Sequence, residues 1–241
     1  KLYGRLVDHY RSLSERDEKF LPKLAMTLNN LGYALYRKGA LDEAIKYYEE
    51  ALKIRRLLAE RDKRFLPDLA DTLNNLGLAL SDKGALDDSI KYYKEALKIY
   101  ESLSRRDERF LPDLAGTLNR LGFALFEKGI LDDSIKYYKE ALKIIKPLAE
   151  GQPWRRSLLS NSYINLGLAL LKKGDEKEGI ENLCAALEIL LDPSTPRSSY
   201  TERQLSLCIG LLQSLREKLP DSCRRRLDSI TADMQKQLSR F

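Results

Sequence analysis

The sequence predicts an all-α solenoid of helix hairpins with a helical C-terminal cap. Three observations carry this reading. A motif recurs every 45 residues: Lys38-Gly39-Ala40-Leu41, Lys83-Gly84-Ala85-Leu86, Lys128-Gly129-Ile130-Leu131, and a weaker Lys173-Gly174-Asp175. Leu-Gly pairs at 31–32, 76–77, 121–122 and 166–167 keep the same step. Each unit holds two amphipathic stretches, and no segment alternates apolar and polar residues as a half-buried strand does. Such self-similarity marks repeat architectures, whose units bury their apolar faces only against neighbours.

The unit beginning at Leu66 shows why each element forms. Leu69, Leu73, Leu76 and Leu80 fall on one stripe of a 3.6-residue period, and Pro67 suits a first helical turn, where its missing N–H is not needed. Gly84 suits the position just past the helix end, where positive φ is required. Asp87 and Asp88 then favour the start of a second helix through its macrodipole. Leu86, Ile90, Tyr93, Ala96, Leu97 and Tyr100 form that helix's apolar stripe. The small Gly77 and Ala79 are expected where the two helices approach, opposite the large ring of Tyr93.

The boundaries follow. Residues 1–20 read as the second helix of a truncated repeat, with Tyr3 one period before Tyr48. Repeats then occupy 21–65, 66–110, 111–153 and 154–191. Residues 192–241 read as a degenerate repeat and capping helices, about 199–218 and 221–239, in which Ile209-Gly210 echoes the Leu-Gly pair. Pro147 is expected to interrupt the third repeat's second helix. In the fourth repeat Gly179 and Leu183 replace Ser134 and Tyr138. The start at Lys1 reads as a cut within a longer array, leaving an open N-terminal end for self-association.

Composition narrows the function. The 241 residues include 42 Lys plus Arg against 36 Asp plus Glu, and the formal charge of +6 does not by itself demand nucleic acid or an anionic membrane. The 43% of apolar residues suffices for a core. A single histidine, His9, precludes a His-rich metal site within one chain, and no phosphate loop or paired acid stands out. No catalytic residue, metal ligand or cofactor is therefore assigned. Three cysteines, Cys184, Cys208 and Cys223, are an odd count with no Cys-x-x-Cys, which argues against a disulfide framework. They read as small buried apolar residues in a reduced, cytoplasmic setting. No apolar run approaches the roughly 18 residues of a membrane span.

At Leu76-Gly77, Leu80, Gly84, Tyr93 and Ala96 the chain resembles the tetratricopeptide repeat family. The matching residues are Leu31, Gly32, Leu35, Gly39, Ala44, Tyr48 and Ala51 in the first repeat. In the third they are Leu121, Gly122, Leu125, Gly129, Ser134, Tyr138 and Ala141. The period exceeds the usual ~34 residues, and this long form is similar to the repeats of kinesin light chains and to arrays on bacterial and archaeal signalling or defence proteins. The resemblance implies a right-handed superhelix and a non-catalytic scaffold that binds a protein or an extended peptide in a concave groove lined by the first helices. A regulatory module of a multidomain signalling or defence protein is the second reading.

The resemblance assigns Asn30, Asn75, Arg120 and Asn165 to a recurring groove position. Beside them it places Asn29, Asn74 and Asn119, then Tyr33, Leu78, Phe123 and Leu168, and further along Tyr36 and Phe126. A primary amide donates to a peptide C=O while accepting from a peptide N–H, so a ladder of amides holds an extended chain with little regard to its sequence. The alternative is that the asparagines bind neighbouring repeats. The paired tyrosines 47–48, 92–93 and 137–138 read as packing. A third functional reading takes Arg216, Arg224, Arg225 and Arg226 as a basic patch for phosphate or nucleic acid. Successive helical positions point apart, however, and nucleic acid is not the expected partner.

Overall fold

The computed structural model describes backbone from residue 2 to 238 and side chains to 232. The described residues form eleven α-helices with no strand, and they group into two compact units, 1–129 and 130–241. Unit 1 contains α1 (Leu2–Arg16), α2 (Leu21–Tyr36), α3 (Leu41–Arg61), α4 (Leu66–Asp82), α5 (Leu86–Ser104) and α6 (Leu111–Glu127). Unit 2 contains α7 (Leu131–Glu150), α8 (Arg156–Lys173), α9 (Glu176–Leu191), α10 (Ser199–Ser214) and α11 (Asp221–Leu238).

In unit 1, α2 pairs with α3 and α4 with α5, and each hairpin turn uses the expected glycine. Gly39 and Gly84 adopt φ of 79° and 86°. Ala40 N–H then reaches back to the Leu35 carbonyl at 3.0 Å, and Ala85 N–H to that of Leu80 at 2.9 Å. The carbonyls left over at the helix ends are thereby satisfied. Leu-Pro opens α2, α4 and α6 with proline in the first turn.

Helix spacing within a hairpin is set by glycine against tyrosine. A Cβ added at Gly32 would lie 2.9 Å from the Tyr48 ring, and one at Gly77 would lie 2.8 Å from the Tyr93 ring. Both rings are buried, so they have nowhere to retreat. The α8–α9 hairpin replaces the ring by Leu183 and brings the backbones closer still. A Cβ at Gly167 would meet Leu183 at 2.9 Å and the Gly179 carbonyl at 3.0 Å. The Gly179 and Leu183 substitutions are therefore one coupled change.

The charged linkers are 3-10 turns rather than loops. Asp17, Asp62 and Asp107 each accept a bond from the backbone N–H two residues on, at 3.0, 2.9 and 3.0 Å. The side-chain and backbone bonds to Lys19, Arg64 and Arg109 hold these three carboxyls below the ordinary aspartate range. Ion pairs also recur at the repeat step. Lys83 meets Asp42 at 2.5 Å and Lys128 meets Asp87 in unit 1, while Lys173 meets Asp132 at 2.6 Å in unit 2. Exposed pairs of this kind contribute little stability singly, but they track the regular offset.

Three expectations are corrected. Pro147 lies inside α7, which continues to Glu150. It removes one N–H near the helix end, and burial of Ile145 and Ala149 on either side keeps that turn packed. Gly210 is exposed, and a Cβ there would meet nothing within 4 Å, so Ile209-Gly210 does not act as a packing pair. The cysteines are not all free thiols, because Cys184 of α9 and Cys223 of α11 form a disulfide. Only Cys208 is free, and it is buried. Pairing two cysteines and burying the third satisfies an odd count, so that count no longer argues for a reducing compartment.

Two predictions follow from this packing. Gly77→Ala should destabilise the fold by about 1–3 kcal/mol through overpacking. Gly210→Ala should be neutral or stabilising by up to about 1 kcal/mol through helix propensity. Urea denaturation of both variants checks the contrast. The second prediction concerns acid. The folded pKa values of Asp17, Asp62 and Asp107 are depressed, so their contribution is present above the unfolded aspartate pKa of about 4 and is lost as pH falls through the folded values. The thermal midpoint of the triple Asp→Asn variant should lie below wild type at neutral pH and converge with it in acid. A gap of constant size from pH 7 to 2 would refute the assignment.

Candidate functional site

The first helices of unit 1 lie side by side, and side chains bond from one to the next. Asn75 Nδ2 of α4 donates to Asn29 Oδ1 of α2 at 3.2 Å, and Thr72 Oγ1 donates to the same oxygen at 3.4 Å. Asn74 Nδ2 donates to Thr117 Oγ1 of α6 at 2.8 Å. These bonds sort the asparagines. Asn74 and Asn119 are each 5% exposed and belong to the packing. The bond to Thr117 turns Asn74 towards α6, and Asn119 sits as deep at the next step of the repeat. Asn29 is half-buried and also works between helices. Asn30 and Asn75 are half-buried, and Arg120 is exposed.

Asn29, Asn30, Asn74, Asn75 and Arg120 nevertheless converge on one polar cavity of about 310 Å³. Its other walls are Arg55, Asp71, Tyr100 and Asp113, none of which the sequence reading placed in a groove, and Tyr100 was expected only in an apolar stripe. Arg55 of α3 is 6% exposed. It donates to the Asp68 carbonyl and to Thr72 Oγ1, with the Asp68 carboxylate 3.9 Å away. Burial lowers its pKa, and the charges of Asp68 and Asp71 oppose that shift. A guanidinium keeps its charge even when buried, and such acceptors offset the cost of placing that charge this deep. Tyr100 donates its hydroxyl to Asp71 Oδ1 at 2.5 Å. Burial, then the Asp71 charge, raises the phenol far above its ordinary range. The cavity thus presents two guanidinium groups, two carboxylates, a phenol and four amides.

The sequence signal for these residues was a break in register. Positions 55, 100 and 145 read Arg, Tyr and Ile where the surrounding repeats agree, and positions 26, 71 and 116 read Met, Asp and Gly. The side-chain void at Gly116 accommodates Arg120: a Cβ there would lie 3.4 Å from the guanidinium.

Apolar side chains flank this polar centre. Met26 and Tyr33 of α2 are 51% and 48% exposed, and Phe123 of α6 is 43% exposed. Leu78 and Phe126 are half-buried. Tyr36 donates to Asp82 Oδ2 at 2.6 Å, and burial, then this bond, pushes its phenol up to about 12. In unit 2, Asn165 is half-buried. Leu168 is half-buried and packs against the core formed by Ile164, Leu183, Leu187 and their neighbours.

Two of the four arginines of the expected basic patch are engaged within the chain. Arg216 makes two bonds to the Asp228 carboxylate at 3.2 and 3.1 Å. Arg224 donates to the carbonyls of Glu217 and Leu219 at 3.3 and 3.1 Å, capping the turn before α11. Arg225 and Arg226 are exposed.

A row of helix hairpins joined through buried amides, with a polar cavity on the first-helix face, defines a helical-repeat scaffold. Tetratricopeptide repeat models match residues 23–102, 115–146 and 160–189, and the chain belongs to that family. Among solved structures it is similar to BtubC (BKLC) from P. vanneervenii, a kinesin-light-chain-like repeat protein. The TM-score is 0.67 at 22% identity over 97% of this chain and 89% of that one, a likeness of fold. A comparison with curated proteins gives no match. Tetratricopeptide repeats generally mediate protein–protein interactions and are generally non-catalytic. Among the described residues no helix is long and apolar enough to cross a membrane.

The two asparagine classes should separate on mutation. Asn74→Ala leaves Thr117 without its buried partner and should cost about 1–3 kcal/mol. Asn30→Ala should change stability by no more than about 0.5 kcal/mol. Denaturant titration of each variant measures both.

Proposed function

We propose that the first-helix face of unit 1 binds an extended segment of a partner protein. The observation that supports this is the convergence of Asn30, Asn75 and Arg120 on a polar cavity, with solvent-exposed Met26, Tyr33 and Phe123 about one turn away along the same helices. The amides would bond the partner's main chain, which needs both a donor and an acceptor. The exposed aromatic rings would anchor its apolar side chains, as buried aromatic contacts do at interface hot spots. The cavity's two positive and two negative side chains would add selectivity for charged groups on the partner.

Arg55 and Tyr100 act here as supports. Arg55 ties α3 to α4, and Tyr100 orients Asp71 at the cavity wall. A scaffold role, without catalysis or a cofactor, is part of the proposal. A cytoplasmic setting is part of it too, on condition that the Cys184–Cys223 bond is reversible there. The engagement of Arg216 and Arg224 within the chain disfavours the nucleic-acid reading.

The test is capture from native lysate by the tagged chain, followed by affinity measurement on peptides from the proteins recovered. Asn30→Ala combined with Arg120→Ala should weaken peptide binding at least tenfold while the thermal midpoint stays within a few degrees of wild type. Equal affinity in the double variant would place binding elsewhere.

A further inference from the structure

Unit 2 secures its last helix differently from its others. Cys223 and Leu227 of α11 enter the core shared by α8, α9 and α10. The Arg216–Asp228 pair and the Arg224 bonds tie α11 only to the turn just before it. Two links reach α9 from this segment. Lys218 Nζ meets both carboxylate oxygens of Glu176 at 2.7 Å, and Cys223 is bonded to Cys184, with Cα atoms 5.9 Å apart.

Between the two links lies a cleft of about 570 Å³, walled by Ile180 and Glu181 of α9 and by Leu219 and Pro220. Cys184 follows Ile180 by one helical turn on the same face of α9, and Cys223 follows Leu219 by four residues. The Glu176–Lys218 pair thus lines the cleft itself, and the disulfide lies one turn beyond Ile180 along α9. Ile180 is 4% exposed and Leu219 is 3% exposed, so separating the walls would uncover apolar surface.

The three sulfurs are unequal. Cys208 is fully buried, and its Sγ–H donates to the Leu183 carbonyl at 3.2 Å. Burial pushes that thiol up to about 12, which leaves it protonated and unreactive. Cys223 is 7% exposed, whereas Cys184 is half-buried. Cys184 is therefore the more accessible residue of the pair.

We propose that Cys184–Cys223 is a thiol–disulfide switch that clamps α11 to α9 when oxidised and releases it when reduced, opening the cleft between them. In the forward step an external thiolate attacks Cys184 Sγ. The Cys184–Cys223 bond breaks, a mixed disulfide forms at Cys184, and Cys223 leaves as a thiolate that takes up a proton. A second external thiolate attacks its counterpart in the mixed disulfide, releasing Cys184 as a thiol and the small molecule as its own disulfide. Closure is the reverse exchange, with a small-molecule disulfide such as oxidised glutathione as the oxidant. The switch lies in unit 2 and does not depend on the peptide-binding proposal for unit 1.

The experiment uses the full chain, oxidised with oxidised glutathione or reduced with dithiothreitol. Alkylation under denaturing conditions should label one cysteine in the oxidised chain and three in the reduced one. Amide hydrogen exchange in residues 216–230 should speed up at least tenfold on reduction, with α4 and α5 unchanged. The Cys184→Ser/Cys223→Ser variant should exchange like reduced wild type in either buffer, and Cys208→Ser should still switch. Three labelled cysteines in the oxidised chain would overturn the proposal. So would equal exchange in both states, or reduction that accelerates all of unit 2 alike, which would make the bond a general staple.

Discussion

The close approach of a helical glycine to a tyrosine ring governs unit 1. In α2–α3 and α4–α5 the ring fills the space that a Cβ would need, and the hairpin closes at one spacing. Equal hairpins stack with equal offsets, which lets Asp-to-Lys pairs and aspartate-capped turns recur every 45 residues. The same offset brings the first helices near enough for Asn29 to accept from Asn75 and for Asn74 to donate to Thr117. A wider hairpin would lose these bonds, and with them the wall of the cavity. Burial of the apolar stripes supplies the driving force, while the glycine–ring contact selects the one arrangement in which it is satisfied.

Function, on this view, lives where the repeat departs from itself. Residues repeated faithfully, such as Leu73 and Leu118 or Ala70 and Ala115, are buried and maintain the stack. Residues that change between repeats at equivalent positions (Arg55 and Tyr100, Asn75 and Arg120, and Asp71 where the next repeat has Gly116) collect around one cavity, with Gly116 leaving room for the Arg120 side chain. A duplicated unit supplies a scaffold without preference, and divergence at a few facing positions gives it a charge pattern. The cost is a guanidinium buried beside α4, compensated by the Asp68 carbonyl, Thr72 and nearby carboxylates.

The C-terminal segment covers the α8–α9 hairpin with helices that lack the repeat's glycine pattern. α10 covers α9 with Ile209 and Leu212, and α11 adds Leu227 and the disulfide. Ser160 of α8 donates to Gln204 of α10 at 3.1 Å, a polar link buried within the cap. Lys218 pairs with Glu176 much as Lys173 pairs with Asp132, so the repeat's charge pattern persists after its glycine pattern has faded.

The hairpins, their turn glycines, the leucine stripes and the family were legible in the sequence because each depends on local propensity and on one short period. The half-buried Asn30 and the exposed Tyr33, Arg120 and Phe123 of the proposed groove follow from the same period. Tertiary structure decided the rest. It buried Asn74 and Asn119 although they stand next to Asn75 and Arg120 in sequence, since a single residue step rotates a side chain by about 100° around the helix. It brought Arg55, Asp71 and Tyr100 together from three helices, and it placed Cys223 beside Cys184 across 39 residues. Pairings at such separations depend on how helices stack, and a period read along the chain carries no record of which side chains meet across it.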